Sequence, residues 1–170
     1  MKLIYTLTLI FATFFANAQT NSLRLNPDIV LPKDSIEGKN LTTSLIDFLL
    51  ATKKPNEENK YVFESEKIET FILVNVLKNI EKSSKFKDDF FYKPYLTNIV
   101  SLKDDKYLIQ ISYIGINENT ALLRASFEFI AHKINESFKF SSPLLYNSKN
   151  WEVIKLGNKI FHYRNTINKD

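Results

Sequence analysis

Cysteine is absent from the 170 residues of the chain, and only three glycines occur, at Gly38, Gly115 and Gly157. Without cysteine the protein has no disulfide bond, no thiolate metal ligand and no cysteine nucleophile. The glycine positions rule out a nucleophile elbow of the form G-x-S-x-G and the glycine-rich loops that bind phosphate. The fold must therefore be stabilised by its apolar core, and these function classes are excluded.

Histidine is almost as scarce, since the chain contains only His132 and His162. A zinc-peptidase helix needs two histidines one turn apart with a glutamate between them, and neither histidine begins such a motif. A calcium loop of the EF-hand type is also missing from the sequence. We therefore expect no bound metal and no cofactor.

No charge of one sign dominates, because 23 Lys and Arg residues stand against 19 Asp and Glu residues. The lysines alternate with acidic residues, as in the Lys-Asp-Asp-Lys sequence of residues 103–106. A nucleic-acid interface needs basic residues clustered without acidic neighbours. We therefore expect that the protein does not bind nucleic acid. We expect its partner to be a ligand or a protein whose identity the sequence does not give.

Long apolar runs are missing except at the N-terminus. Lys2 supplies a positive charge, residues 3–15 form an apolar run, and an Ala-Asn-Ala sequence ends at Ala18. These features predict a secretory signal peptide over residues 1–18, cleaved before Gln19. The run is shorter than the roughly 20 residues of a membrane-spanning helix. We expect an exported protein, periplasmic or extracellular, with no stable membrane anchor after cleavage.

The remainder of the chain has the size and apolar content of one folded domain. Residues 19–38 are predicted as an extended lead-in, residues 39–165 as a single α+β domain and residues 166–170 as a polar tail. Helical periodicity predicts a first helix over residues 41–53, capped by Asn40 or Thr42.

A second helix is predicted over residues 65–82, with Ser65 as its cap. Its broad apolar face is predicted to pack against the sheet and comprises Ile68, Phe71, Ile72, Val76 and Ile80, with Leu73 and Leu77 beside them.

From residue 95 onward the apolar period becomes two, which predicts strands. The segments are 96–102, 107–114, 122–134, 137–144, 151–156 and 159–164, with a loop over 143–150. A two-residue turn at Asn135-Glu136 places Ala131 opposite Phe140 and Lys133 opposite Phe138, which puts the apolar residues on one face. A Gly-Asn turn at residues 157–158 places His162 opposite Val153.

Helices followed by strands predict an α+β fold in which N-terminal helices pack on a curved antiparallel sheet of about six strands. This order resembles the cystatin-like cone of the nuclear transport factor 2-like superfamily. A closer likeness is carried by Tyr107-Leu-Ile-Gln-Ile-Ser-Tyr-Ile-Gly115, Leu123-Arg-Ala-Ser-Phe127, Phe140-Ser-Ser-Pro-Leu144, Asn150-Trp151, Gly157-Asn158 and Phe161-His-Tyr163. These strings are similar to the N-terminal region of secreted Bacteroidetes proteins, in some of which a zinc-peptidase-like domain follows. This chain stops at Asp170, so the resemblance implies no peptidase activity.

Two interpretations of the aromatic residues are open. They fill the core, or they line a ligand cavity, for which the candidates are Phe127, Phe129, Phe140, Trp151, Phe161 and His162. No catalytic residue is predicted. Glu128 and His132 fall on the same strand face, but about 13 Å separates them at about 3.3 Å per residue, too far for a hydrogen bond.

Three functions follow from these observations. The leading prediction is an exported, non-catalytic binding or accessory domain, because the sequence has many fold signals and no site signal. The first alternative is a small isomerase-like or hydrolase-like enzyme with acid–base residues inside the cone. The second alternative is a homodimeric interaction module that pairs through its sheet.

Overall fold

The computed structural model describes residues 23–32, 34–81 and 91–164. Within these ranges the fold is α+β, with three helices, a five-stranded sheet and a separate two-stranded sheet. No helix of the described ranges is long and apolar enough to cross a membrane. The signal peptide predicted over residues 1–18, its cleavage site before Gln19 and the polar tail predicted over 166–170 lie outside the described residues.

The first helix, α1, spans Ser35–Ala51 and begins earlier than the predicted start at residue 41. The Asp34 carboxylate caps it by accepting a hydrogen bond from the Ile36 amide at 2.8 Å. The predicted caps, Asn40 and Thr42, therefore lie inside the helix. Short polar side chains at an N-cap satisfy amides that have no partner within the helix, which explains the earlier start.

The other helices are α2, Lys67–Glu81, and the short α3, Leu144–Ser148, which lies in the segment predicted as a loop. A 3₁₀ turn over Glu64–Glu66 leads directly into α2, so the predicted cap, Ser65, is part of this turn.

The main sheet has the strand order β1-β2-β3-β4-β5. The strands are β1 (Arg24–Leu25), β2 (Lys93–Ser101), β3 (Lys106–Asn117), β4 (Thr120–Ile134) and β5 (Ser137–Ser141). Strand β1 lies in the predicted lead-in and pairs parallel with β2, whereas the other pairs are antiparallel. The sheet is therefore mixed.

The last hairpin, β6 (Glu152–Leu156) with β7 (Lys159–Tyr163), forms its own two-stranded sheet. Its predicted register is confirmed, since Val153 pairs with His162. The prediction of one sheet of about six antiparallel strands is wrong in strand count, because this hairpin does not join the main sheet. Alternation of residues within a hairpin fixes its own pairing but does not specify the strand beside it.

The register predicted for β4 and β5 is confirmed, with Ala131 opposite Phe140 and Lys133 opposite Phe138. Asn135 adopts the left-handed φ of 55° that a two-residue hairpin turn requires. Phe127, Phe129 and Phe140 all face the core, where they are at most 5% exposed.

The helix that contacts this aromatic face is mainly α1. The ring centroid of Phe48 lies 5.2 Å from that of Phe129 and 4.9 Å from that of Phe140. We predicted that the second helix would supply this contact; Val74 and Leu77 of α2 belong to the same core cluster, but the facing ring comes from α1.

The predicted buried face of α2 is correct for Leu77, which is buried, and for Phe71 and Leu73, which pack against the core, but it is wrong for three other residues. Ile68, Ile72 and Val76 are 69%, 63% and 48% exposed, while the buried residues are Thr70, Val74 and Leu77. The Thr70 hydroxyl donates to the Glu66 carbonyl at 2.6 Å and accepts the Ser142 amide at 3.0 Å. A hydroxyl whose hydrogen bonds are made can be buried in a core. Because Thr70 is buried in this way, α2 is turned so that Ile68, Ile72 and Val76 are exposed. The side chain of Ile80 lies outside the described part of the structure.

Candidate interaction surface

Strand β4 is much longer than the strand beside it. Strand β5 pairs only with Ile130–Ile134, while β4 extends back to Thr120. In the described ranges no strand lies beside Thr120–Phe129 on the side facing away from β3. We call this side of β4 the open edge.

The two-residue turn determines which main-chain groups face the open edge. In such a hairpin the residues that flank the turn, here Ile134 and Ser137, form a hydrogen-bonded pair. Hydrogen bonding then alternates along β4, so Ile130 also directs its amide and carbonyl toward β5. By the same alternation, the amides and carbonyls of Ser126 and Glu128 point out of the open edge. Both residues are exposed.

The outer edge of β5, in contrast, is covered. The Phe140 amide donates to the Tyr61 carbonyl at 2.7 Å, and the Phe63 amide donates to the Phe140 carbonyl at 2.9 Å. Residues 61–63 thus pair in a short parallel bridge with β5. Covering segments are a common protection of sheet edges, so the open edge of β4 is a distinct feature.

Polar side chains fill the outer sheet face next to the open edge. The Ser112 hydroxyl lies 2.7 Å from that of Ser126 and 3.1 Å from that of Thr97. The Thr97 hydroxyl also donates to the Gln110 side-chain oxygen at 3.3 Å. This row of hydrogen bonds crosses β2, β3 and β4 and stabilises the face, with Ser112 buried at its centre.

Apolar side chains are exposed at the far end of the β3–β4 hairpin. Leu122 and Leu123 are 39% and 66% exposed, and Ile116 on β3 is 59% exposed. A register shift between Tyr113 and Ile114 accompanies this end of the hairpin, where such irregularities increase the twist of a strand. Main-chain groups that no described strand pairs with and exposed apolar side chains therefore occur on the same half of β4.

The acid–base candidates do not form a catalytic pair. Glu128 is exposed, whereas His132 is 5% exposed and its Nε2 lies 2.8 Å from the Ser141 hydroxyl. Burial, together with the nearby Lys106 charge, lowers the pKa of His132 to about 4. A neutral, enclosed imidazole next to Ser141, which is itself fully buried, has no access to a substrate.

A small cleft of about 160 Å³ lies beside the start of α1 and contains Glu37 and Lys133. The Lys133 ammonium donates to the Glu37 carboxylate at 2.7 Å, and the Tyr107 hydroxyl donates to its other oxygen at 2.7 Å. The bond from Lys133, followed by that from Tyr107, lowers the pKa of Glu37. Burial and the bond to Glu37 raise the pKa of Tyr107 to about 12. These groups satisfy one another and connect α1 to the sheet.

The six residues predicted to line a cavity fall into two separate groups. Phe127, Phe129 and Phe140 pack in the core of the main sheet. The other three lie on the last hairpin or directly before it, where Trp151 and Phe161 are 38% and 42% exposed and His162 is also exposed. The structure does not bring the two groups together, and a ligand-lining role for them stays a prediction.

In the ranges that the structure describes, no group of three metal-binding side chains is close enough to hold an ion. Sequence analysis missed the open edge, although one signal was present, since the predicted strand over 122–134 is longer than the apolar alternation that follows it. Comparisons of the chain with protein-family models, with curated proteins and with solved structures find no match.

Proposed function

We propose that this protein is a non-catalytic binding domain that takes an extended segment of a partner protein as an added strand at the open edge. The observation that supports this proposal is the pair of outward-facing main-chain groups at Ser126 and Glu128. Unpaired amides and carbonyls of a strand recognise an extended peptide by forming the next ladder of the sheet.

The neighbouring side chains favour a peptide as the ligand. In strand addition the main chain supplies affinity, and alternate side chains of the peptide contact the two faces of the sheet. One face beside the open edge has the polar row that includes Ser126, and the end of the hairpin has the exposed apolar side chains of Leu122 and Leu123. A segment with alternating polar and apolar residues fits these surroundings.

The two alternatives have less support. An acid–base enzyme needs titratable groups that converge on a cavity, whereas Glu128 is exposed and His132 is enclosed. A homodimer formed through the sheet would use the same open edge, with a second copy as the source of the added strand. Export through the predicted signal peptide, and the resemblance to cystatin-like cones and secreted Bacteroidetes proteins, remain parts of the proposal. They would place the partner outside the cytoplasm.

The test uses a phage library of twelve-residue peptides selected on the protein from Gln19 onward. Enriched peptides are then measured against Glu128→Pro, which removes the outward amide at a position where an edge strand tolerates proline. We expect affinity to fall at least tenfold. Hydrogen exchange at the Ser126 and Glu128 amides should slow when a peptide binds.

Glu128→Ala is the matched control, because it removes the same side chain and keeps the amide. It should bind the selected peptides as the original protein does. Equal binding by Glu128→Pro, or selection of no peptide that prefers the original protein over this variant, would contradict the proposal. Circular dichroism of both variants verifies that the fold is retained.

A further inference from the structure

The last hairpin, β6 with β7, stands apart from the core of the domain. Within the described ranges its two strands pair only with each other. None of its described side chains is buried, and none belongs to the hydrophobic core cluster or packs against it. A Cβ atom added at Gly157 would meet no atom within 4 Å, so the turn is open on that side. A two-stranded hairpin is only marginally stable by itself in water, so a further contact would stabilise it.

Both faces of this hairpin expose apolar side chains. Residues that pair across two strands share a face, and successive residues of one strand alternate between the faces. Phe161 pairs with Ile154, so Phe161 and Leu156 lie on one face, where they are 42% and 59% exposed. Val153 lies on the other face and is 58% exposed. A partner protein that docks on one face would leave the apolar side chains of the other face in water.

Basic residues dominate this end of the chain. Residues 149–164 contain one acid, Glu152, against four basic residues, Lys149, Lys155, Lys159 and Arg164. The Glu152 carboxylate accepts a hydrogen bond from the Tyr163 hydroxyl at 2.8 Å. Among the residues that the structure describes, Lys155 and Lys159 form no ion pair. The surface that covers the hairpin should therefore be negatively charged as well as apolar.

We propose that the β6–β7 hairpin binds reversibly to the surface of a membrane that contains anionic lipids, with the Gly157-Asn158 turn entering the headgroup region first. Lipid surrounds a hairpin that enters in this way and therefore contacts both of its faces. Leu156 and Phe161 then reach the boundary of the acyl chains. The long side chains of Lys155 and Lys159 place their ammonium groups at the lipid phosphates.

The depth of insertion is limited by the main chain of the hairpin. The outer edges of β6 and β7 have no strand beside them in the described ranges, so their amides and carbonyls need water. The hydrocarbon region offers these groups no hydrogen-bond partner. Trp151, which directly precedes β6, would lie at the base of the hairpin near the headgroups, where tryptophan is enriched. The contact is therefore peripheral and differs from a membrane-spanning anchor.

The first experiment is sedimentation of the protein from Gln19 onward with lipid vesicles. One set is pure phosphatidylcholine, and in the other half of the lipid is phosphatidylglycerol. We expect binding to the anionic vesicles only, and weaker binding at higher salt. A basic side chain near an anionic surface strengthens binding by about fivefold. The double variant Lys155→Glu with Lys159→Glu should therefore bind at least tenfold more weakly.

Two matched controls separate the hairpin from the rest of the surface. Lys53→Glu with Lys103→Glu changes the net charge equally at exposed lysines outside the hairpin, and it should lose less than about threefold. Leu156→Ser should weaken binding, whereas Ile116→Ser, at an equal exposure of 59%, should not. Circular dichroism verifies that each variant keeps the fold.

The second experiment detects entry of the turn into the lipid. Asn158→Cys and Asn119→Cys each carry a nitrobenzoxadiazole dye on a single cysteine, because the natural chain has none. Both asparagines are exposed second residues of two-residue hairpin turns, which makes them a matched pair. The emission of the dye at position 158 should move to shorter wavelength with anionic vesicles and be quenched by nitroxide-labelled lipids. The dye at position 119 should show neither change.

Absence of binding to the anionic vesicles would overturn the proposal, and an acidic protein surface would then be the candidate partner of the hairpin. An equal loss in the two double-lysine variants would also overturn it, since the attraction would then come from the whole surface. A response of the dye at position 119 equal to that at 158 would reject entry by this turn. The open edge lies on β4, so the selected peptides should bind Lys155→Glu with Lys159→Glu normally, and either proposal can fail without the other.

Discussion

The ring of Phe63 stacks on the imidazole of His132, with centroids 3.8 Å apart and planes 6° from parallel. Phe63 belongs to the segment that covers the edge of β5, and its amide bonds to the Phe140 carbonyl. One face of the His132 ring is therefore covered by the Phe63 ring, and its Nε2 is hydrogen-bonded to the Ser141 hydroxyl. The stack couples the covering segment to the protonation of the histidine.

We predict that protonation of His132 destabilises the fold. Its pKa is lowered from 6.5 to about 4, so the unfolded chain binds a proton more readily than the folded chain. The neutral His132 therefore contributes its full amount to the free energy of unfolding above pH 6.5, and this contribution is lost as the pH falls toward 4. It amounts to at most about 3 kcal/mol of the free energy of unfolding. Urea unfolding at pH 7 and at pH 4.5 measures the loss, which should be smaller in His132→Phe.

His162→Phe is the control for this prediction, because His162 lies exposed on β7. This variant should retain the pH dependence of the original protein. If His132→Phe retained it as well, the acid sensitivity would come from carboxylates and not from the stacked imidazole.

The second prediction concerns the orientation of β4. Phe129 is fully buried against Phe48, so Phe129→Ala should lower the free energy of unfolding by about 3–5 kcal/mol. Glu128→Ala removes an exposed side chain and should change it by less than about 0.5 kcal/mol. Denaturant unfolding of both variants measures the difference. Greater damage from Glu128→Ala would mean that the strand faces the other way.

The third prediction concerns the hydrogen bond from Tyr107 to Glu37. Tyr107→Phe should lower the free energy of unfolding by about 1 kcal/mol at pH 7, a typical value for a partly exposed bond. The folded pKa of Glu37 is lowered, so this contribution is present above pH 4.5 and is lost as the pH falls through the folded pKa. Unfolding at pH 7 and pH 3 tests both points. Tyr95→Phe is the control and should have little effect at either pH, because the Tyr95 hydroxyl accepts its hydrogen bond from the exposed Arg24.

The fourth prediction is the N-terminus of the exported protein. A small residue occupies each of the two positions that signal peptidase recognises, Ala16 and Ala18, so the exported chain should begin at Gln19. N-terminal sequencing of protein recovered outside the cytoplasm tests this. A chain that still begins with Met1 would contradict the signal peptide.

The local parts of the fold could be predicted and the tertiary parts could not. Turn chemistry at Asn135-Glu136 and strict alternation fix the pairing of Ala131 with Phe140, and both signals are local. The buried side of α2 depends on which neighbours its residues meet. Hydrophobicity favoured Ile68 and Ile72, but Thr70 is buried because it bonds to Ser142 from a distant part of the chain.

The candidate site shows the same division. The excess length of β4 is visible in the sequence, but whether an edge is free depends on distant segments. Residues 61–63 cover β5, and the last hairpin does not join the sheet, and neither placement has a local signal. Ile68, Ile72 and Val76 of α2 were predicted as core for the same reason, since the sequence pattern of an apolar row is the same whether the row faces a sheet or solvent.

The β4–β5 register also limits how far the pairing of these two strands can extend. If pairing continued beyond Ile130 and Ser141, Pro143 would lie opposite Glu128. Glu128 needs a donor at that point, and proline has no amide hydrogen to give. Pairing of β5 with β4 therefore ends at Ile130, and the main-chain groups of Glu128 stay unpaired by β5, so they are open to a further strand.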